Sequence, residues 1–358
     1  MNQVRIETLT PVHIGSGISY DQNRDYLYFD KERTVSILQP EKVLKVISGG
    51  SNAPNLEDIS KWVTSIDARE SILPFLLKRK PDLLSSDIAR RVLSVRGTPP
   101  VQDKPLREQI HSGNEQPYIP GSSMKGSIRT ALLDRLIKSD DGVFVKNVNN
   151  LKNRRGDFDA GRLEEHYFGK DPNHDVMRLL QVGDAYFDRT ECLLTTVINV
   201  KQDGSWVEKS QIRQYVEAIP KGMTTIGKLI LNQDMQKTII QQNVRPKGRD
   251  RDAAPYKIFE DKKSLISLLP LKTLFKNIND HTAALIEAEI DFWDKEQGNP
   301  EALGDYVEHI QAILADIDAA KENECILRLG WGTGFLNMTG DWQYWYMDRE
   351  DYDFMVDN

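Results

Sequence analysis

Cysteine is nearly absent: the 358 residues include two, Cys192 and Cys325. Two thiols cannot build a disulfide scaffold, and these two share no metal-ligand spacing. Long apolar runs are missing as well, since no stretch approaches the ~20 residues needed to span a bilayer. The opening segment MNQVRIETLT has neither the basic nor the apolar region of a signal peptide. Together these absences point to the cytoplasm and away from a membrane. Catalytic signatures are also lacking. There is no HExxH, no GxSxG, no P-loop ending and no Asp/Glu/His cluster at metal-ligand spacing. No catalytic residue, metal or cofactor is therefore expected. Internal repeats with a period of about 20–50 residues are absent too.

The net charge of −7 argues at first against a polyanionic partner, but its distribution does not. Asp280 to Cys325 carries thirteen acidic residues against two lysines, and Asp341 to Asn358 carries six against Arg349. Those windows hold −11 and −5, which leaves +9 on the rest of the chain. A basic body with an acidic C-terminal third can meet a polyanion with one part and protein with the other. Two solvated acidic helices would give the same count.

Hydrophobic periodicity outlines an α+β protein long enough for two cores. Alternation at Val4, Ile6, Thr8 and Thr10 predicts an opening strand that stops at Pro11 and the Gly15-Ser16-Gly17 loop. Further strands are predicted at Tyr26–Phe29 and Thr34–Leu38, followed by a helical insertion over about 40–91. Residues 106–111 and 116–119 read as a hairpin around Gly113-Asn114. Met124, Ile128, Ala131, Leu132 and Leu136 keep the spacing of an amphipathic helix over about 122–138. Residues 139–178 are polar and predict an irregular insertion. Strand character returns at 179–187, 192–200, 215–219 and 224–231, before a basic loop over 232–255 and helices over 260–323. A last strand is expected at 326–329, running into GWGTG. This order gives domains at 1–138 and 179–358 on either side of the polar insertion.

Three segments carry candidate binding residues. The first is Pro120-Gly121-Ser122-Ser123-Met124-Lys125 through Arg129. Proline and glycine end a strand, Ser122 and Ser123 offer caps, and the helix start presents unpaired N–H groups to phosphate. Ser122, Lys125 and Arg129 share one side of that helix. An ordinary capped helix with surface cations reads the same way. The second is Arg328-Leu329-Gly330-Trp331-Gly332-Thr333-Gly334. If extended, it puts Arg328 and the three glycines on one face, open to a close-approaching backbone or base, with Trp331 turned to the core. A glycine-rich turn is the alternative. The third is His13 with Gly15, Ser16 and Gly17. His13 has the ring chemistry of a general base, but such a residue more often holds a loop carbonyl or contacts ligand. The basic loop adds Arg245, Lys247 and Arg249.

TPVHIGSG, YIPGSSMKGSIRTALL, RLLQVGDAYF and LRLGWGTGF occur in that order along nearly the whole chain. They resemble the RAMP superfamily of CRISPR-associated proteins, which is built on ferredoxin-like (RRM-like) domains. Length, insertions and the late glycine motif are most similar to the Csm-type terminal subunit of type III-A effector complexes. The resemblance implies two such domains with helical insertions. It also implies an RNA-binding role on the single-stranded 3′ part of a guide RNA, capping the backbone subunits. Implied partners are neighbouring Csm-complex RAMP subunits, target RNA indirectly, and host nucleases in guide maturation. The aspartate that helps related backbone subunits cut target RNA has no matching position here. A RAMP endoribonuclease using His13 or His111, a type III-B terminal subunit or a backbone subunit, and an adaptor that touches protein only are the competing readings.

Overall fold

The computed structural model describes residues 3–49, 55–101, 104–172, 174–195, 198–200, 206–208, 213–235, 237, 262–295, 301–334, 337–338, 340 and 342–348. Arg245, Lys247, Arg249 and most of the basic loop lie outside these. The architecture is α+β. The expected domains follow chain order, whereas the contacts group the chain into two interleaved units. One contains 1–5, 120–185 and 226–358; the other contains 6–119 and 186–225.

The second of these units is built on a seven-stranded mixed sheet. Its strands are β2 (Gly15–Tyr20), β3 (Tyr26–Phe29), β4 (Thr34–Leu38), β5 (Ala89–Arg96), β6 (Leu106–Gln109), β10 (Glu191–Thr195) and β13 (Gln214–Ala218). They lie in the order β2-β6-β13-β10-β5-β4-β3. Alternation sorts the side chains as the strand period requires. Tyr26, Val35, Ile37, Leu93 and Leu106 fill one cluster with Cys192 and Tyr215. Leu27, Phe29 and Leu38 enter another, shared with Val43 and Ile47 of α1 (Pro40–Ile47) and Leu76 of α3 (Leu73–Arg79). The helical insertion is thus as expected, with α2 at Leu56–Asp67, although it ends where β5 begins. The hairpin is present: β6 returns through a His111–Pro117 bridge to β7 (Tyr118–Ile119), which pairs with β9 (Ala185–Tyr186), while β11 (Ile198–Val200) and β12 (Trp206–Glu208) form a ribbon of their own.

The other unit centres on α4 (Gly121–Ser139). Met124, Ile128, Ala131, Leu132 and Leu136 are all buried, as their spacing predicts. Replacing Leu132 by Ala would leave a cavity costing about 2–5 kcal/mol. A three-stranded sheet, ordered β1-β14-β8, belongs here in part: β1 (Gln3–Glu7), β8 (Leu180–Val182) and β14 (Thr224–Leu231). The polar insertion at 139–178 is not irregular. It holds α5 (Ala160–Tyr167) and two 3₁₀ turns, Val148–Leu151 and Val176–Leu179. Val145, Leu151, Leu163, Phe168, Val176 and Met177 join the same core as α4. Helices Lys263–Leu268, Leu271–Lys295 and Glu301–Asp318 (α6 to α8) match the expected helical stretch, and α9 (Trp342–Tyr346) was not expected. Residues 326–329 form no strand. Among the described residues no helix is long and apolar enough to cross a membrane.

Candidate nucleic-acid interface

The start of α4 is set by glycine and by an acid. Pro120 precedes the helix with an extended ψ of 136° and caps no amide; Ser122 and Ser123 lie inside the helix and are not its caps. The Gly121 N–H donates instead to Asp184 Oδ1 at 2.7 Å. An anion at this end of a helix is favoured by the dipole and the unpaired amides. Gly121 permits the approach, because a Cβ there would lie 2.2 Å from the Val182 carbonyl oxygen. Ser122 is exposed and Ser123 partly so.

The two cations on this helix have different surroundings. Arg129 is spoken for: it pairs with Asp175 at 2.6 Å and Glu164 at 2.9 Å, and its guanidinium lies 3.8 Å from the centre of the buried Phe168 ring. Lys125 is half-buried and makes no hydrogen bond or ion pair with another described residue. Burial lowers its pKa; Asp175 works against that and Arg129 adds to it. The expected pair of phosphate cations thus reduces to Lys125.

The glycine segment lies along the same helix. Ser127 Oγ donates to the Arg328 carbonyl at 2.7 Å, and Thr130 Oγ1 to the Met338 carbonyl at 3.3 Å. Gly330, Gly332 and Gly334 have φ of 99°, 84° and 86°, so the segment turns through left-handed backbone instead of extending. Such values are cheap only for glycine. A Cβ at Gly332 or Gly334 would meet no atom within 4 Å. Trp331 is 43% exposed, not core. Arg328 is turned away from this surface by Glu289 at 2.6 Å and the Tyr306 hydroxyl at 3.3 Å. The glycine turn thus docks on the Ser127 and Thr130 side of α4, with its bare backbone and the Trp331 indole exposed, while Lys125 shares the other side of the helix with Arg129.

The third segment belongs to the sheet unit and is tightly held. His13 is buried, and its Nδ1 donates to the Glu217 carbonyl at 2.6 Å. Burial lowers its pKa. Ser16 Oγ donates to Glu108 at 2.7 Å. Gly15 and Gly17 are exposed, Gly17 with φ of 89°. Gly15, Ser16 and Gly17 are thus the start of β2 and not the expected loop; His13 braces that start and is poorly placed to move a substrate proton.

Folding also assembles a group that spacing does not reveal: Glu108, His111 and Glu217 have ligand-type atoms within 4.8 Å of one another. Glu108 and His111 are close in sequence, but Glu217 arrives on a separate strand, which is why no motif marks the group. Its fit to a metal is poor. Arg91 stands between the carboxylates, 3.0 Å from Glu108 and 3.1 Å from Glu217. His111 Nδ1 donates to the Gln109 carbonyl at 2.6 Å, and Nε2 lies 3.2 Å from Glu217. Burial opposes the charge on Glu217, but His111 and Arg91 outweigh it and hold the carboxyl below its ordinary range. Glu108 is lowered likewise against its burial, by Tyr20, Ser16 and Arg91. The Arg91 guanidinium already occupies the space between the two acids, and Arg90 adds a second cation beside Glu108, so this is an internal ion network.

An α+β chain with a glycine turn laid along a proline-glycine-started helix defines its class: it belongs to the RAMP superfamily, whose model matches residues 5–337. Within that class it is similar to the CRISPR system Cms protein Csm5 of Methanocaldococcus jannaschii. Identity is 26% over 351 residues, covering 94% of this chain and 72% of the relative. The crystal structure of T. onnurineus Csm5 has the same fold, with a TM-score of 0.65 at 20% identity, covering 94% and 92% of the two chains. A chain in the cryo-EM structure of a Csm–crRNA–target RNA ternary complex of a type III-A CRISPR-Cas system also matches. Its TM-score is 0.65 at 18% identity, over 97% and 90% of the chains.

Proposed function

We propose that this protein is a non-catalytic RNA-binding subunit of a type III-A CRISPR (Csm) effector complex. In this reading it holds the 3′ part of the guide RNA, caps the row of backbone subunits and supports guide maturation. The carrying observation is α4 itself: one side presents Lys125, which has no hydrogen bond or ion pair among the described residues, and another side holds the glycine turn, open at Gly332 and Gly334. Phosphate contacts from an ammonium and from exposed backbone suit a single strand. The Csm5 relative and the fold shared with a chain of a crRNA-bound complex support the same assignment. Neighbouring Csm subunits are its protein partners, and target RNA is met through the guide. The acidic helices between Asp280 and Cys325 face protein or solvent, because their charge repels phosphate within the ~8 Å screening length at physiological salt. Filter binding of single-stranded RNA at two salt concentrations tests this. Affinity that falls with salt, and falls further on Lys125→Ala, is expected; RNA-free behaviour at both salts would leave an adaptor that touches protein only.

A further inference from the structure

A cavity of about 440 Å³ opens beside α4 in its own unit, with Lys125, Arg129, Glu164, Glu165, Asp171 and Asp175 among its walls. That volume is in the range of small-ligand sites. Lys125 brings to it an ammonium with no ion pair among the described residues, since Asp175, the acid that acts on it from a distance, is bonded to Arg129. Partly desolvated charge is costly until an opposite charge arrives. Lys170 and Arg178 also line the cavity, so four cations face four carboxylates, and a small inorganic anion would answer only half of that lining. The fitting ligand has an anionic end and, some ångströms away, hydrogen-bond donors.

Arg129 narrows the class further. Carboxylates fix its guanidinium at two nitrogens and Phe168 covers one face. A planar group held in this way is a ready stacking surface for an unstacked base. Glu165 is exposed at the wall and is an acceptor for an exocyclic amino group.

We propose that this cavity receives one unstacked nucleotide of the bound RNA, its phosphate on Lys125, its base on the Arg129 plane and an amino edge toward Glu165. The inference rests on the RNA-binding reading above and adds a place where one base leaves the stack. An RNA set carrying 2-aminopurine at one position at a time would be bound to the full chain and its fluorescence read. A rise is expected at a single position. An abasic residue there should weaken binding about tenfold, as for loss of one stacked base. Glu165→Trp, which fills the cavity and leaves Lys125 in place, should abolish the rise while RNA still binds. Adenosine monophosphate, titrated alone by NMR, should perturb the cavity residues, and less so in Glu165→Trp. RNA that binds with no rise at any position, or a rise that survives Glu165→Trp, overturns the proposal. Adenosine monophosphate binding without a strand signal also overturns it and leaves a free-nucleotide site. Loss of all RNA binding with the mononucleotide still bound would mark failure of the RNA-binding reading itself.

Discussion

The two glycine segments look alike in sequence and behave differently in the fold. Gly15-Ser16-Gly17 follows a buried histidine and lies at a sheet edge, held by the His13–Glu217 and Ser16–Glu108 hydrogen bonds. Gly330 to Gly334 is held from below, through Ser127 and the Arg328–Glu289 pair, and is open above. The first segment is part of a strand of the scaffold, and the second is a turn available to a ligand. What separates them is the partner each finds across the chain: Glu217 is 204 residues from His13, and Ser127 is 201 residues from Arg328. Glycine count carries none of that information.

The first segment rests on the ion network, so disrupting that network should give the largest stability change. Glu217→Leu removes the fully buried acid that Arg91 and His111 share, although Arg91 keeps Glu108, and breaking a buried pair in this way costs about 3–5 kcal/mol. Denaturant titration should show that loss, with RNA affinity of the folded protein retained. The same network sets a pH dependence. Glu217 has a folded pKa below its ordinary 4.5, so its stabilisation is complete above 4.5 and is lost as pH falls through the folded value. Acid unfolding should therefore steepen below pH 4.5 in the natural protein and be shallower in Glu217→Leu.

Arg129 sharpens the comparison within the other unit. Arg129→Ala leaves Asp175 and Glu164 without their cation and uncovers Phe168, so a loss of about 1.5–3 kcal/mol in stability is expected by thermal or chemical denaturation. Next in size is Gly332→Ala. Space alone would predict a graded loss from Ala to Val with unchanged melting temperature, but the φ of 84° penalises any Cβ. About 1–2 kcal/mol of strain should appear already in the alanine variant, read as a lower melting temperature alongside weaker RNA binding. Lys125→Ala should change stability least, because no partner is lost. Its signature is electrostatic: the slope of log affinity against log salt should fall by about 0.7, one phosphate contact on a single strand.

Much of the scaffold is legible in the sequence because its elements are periodic. The apolar stripe of α4 and the alternation around Val35 and Ile37 each predict a buried face that is present. Residues 139–178 defeat that reading, since Val145, Leu151 and Val176 reach the core from 3₁₀ turns and loops with no fixed period. The glycine turn defeats it for another reason: alternating glycines match one face of a strand, while each adopts left-handed backbone that only glycine tolerates cheaply. Site cations are hardest of all. Arg129 and Arg328 have the same chemistry as Lys125, and only the distant acids Asp175 and Glu289 show that they are taken.

In this reading α4 and the glycine turn hold the guide, while the acidic helices do not. Crosslinking RNA in the assembled complex, mapped to residues, tests it most directly. Crosslinks are expected between Ser122 and Lys125 and at Trp331 to Gly334. Crosslinks concentrated between Asp280 and Cys325, with none on the helix start or the turn, would contradict it.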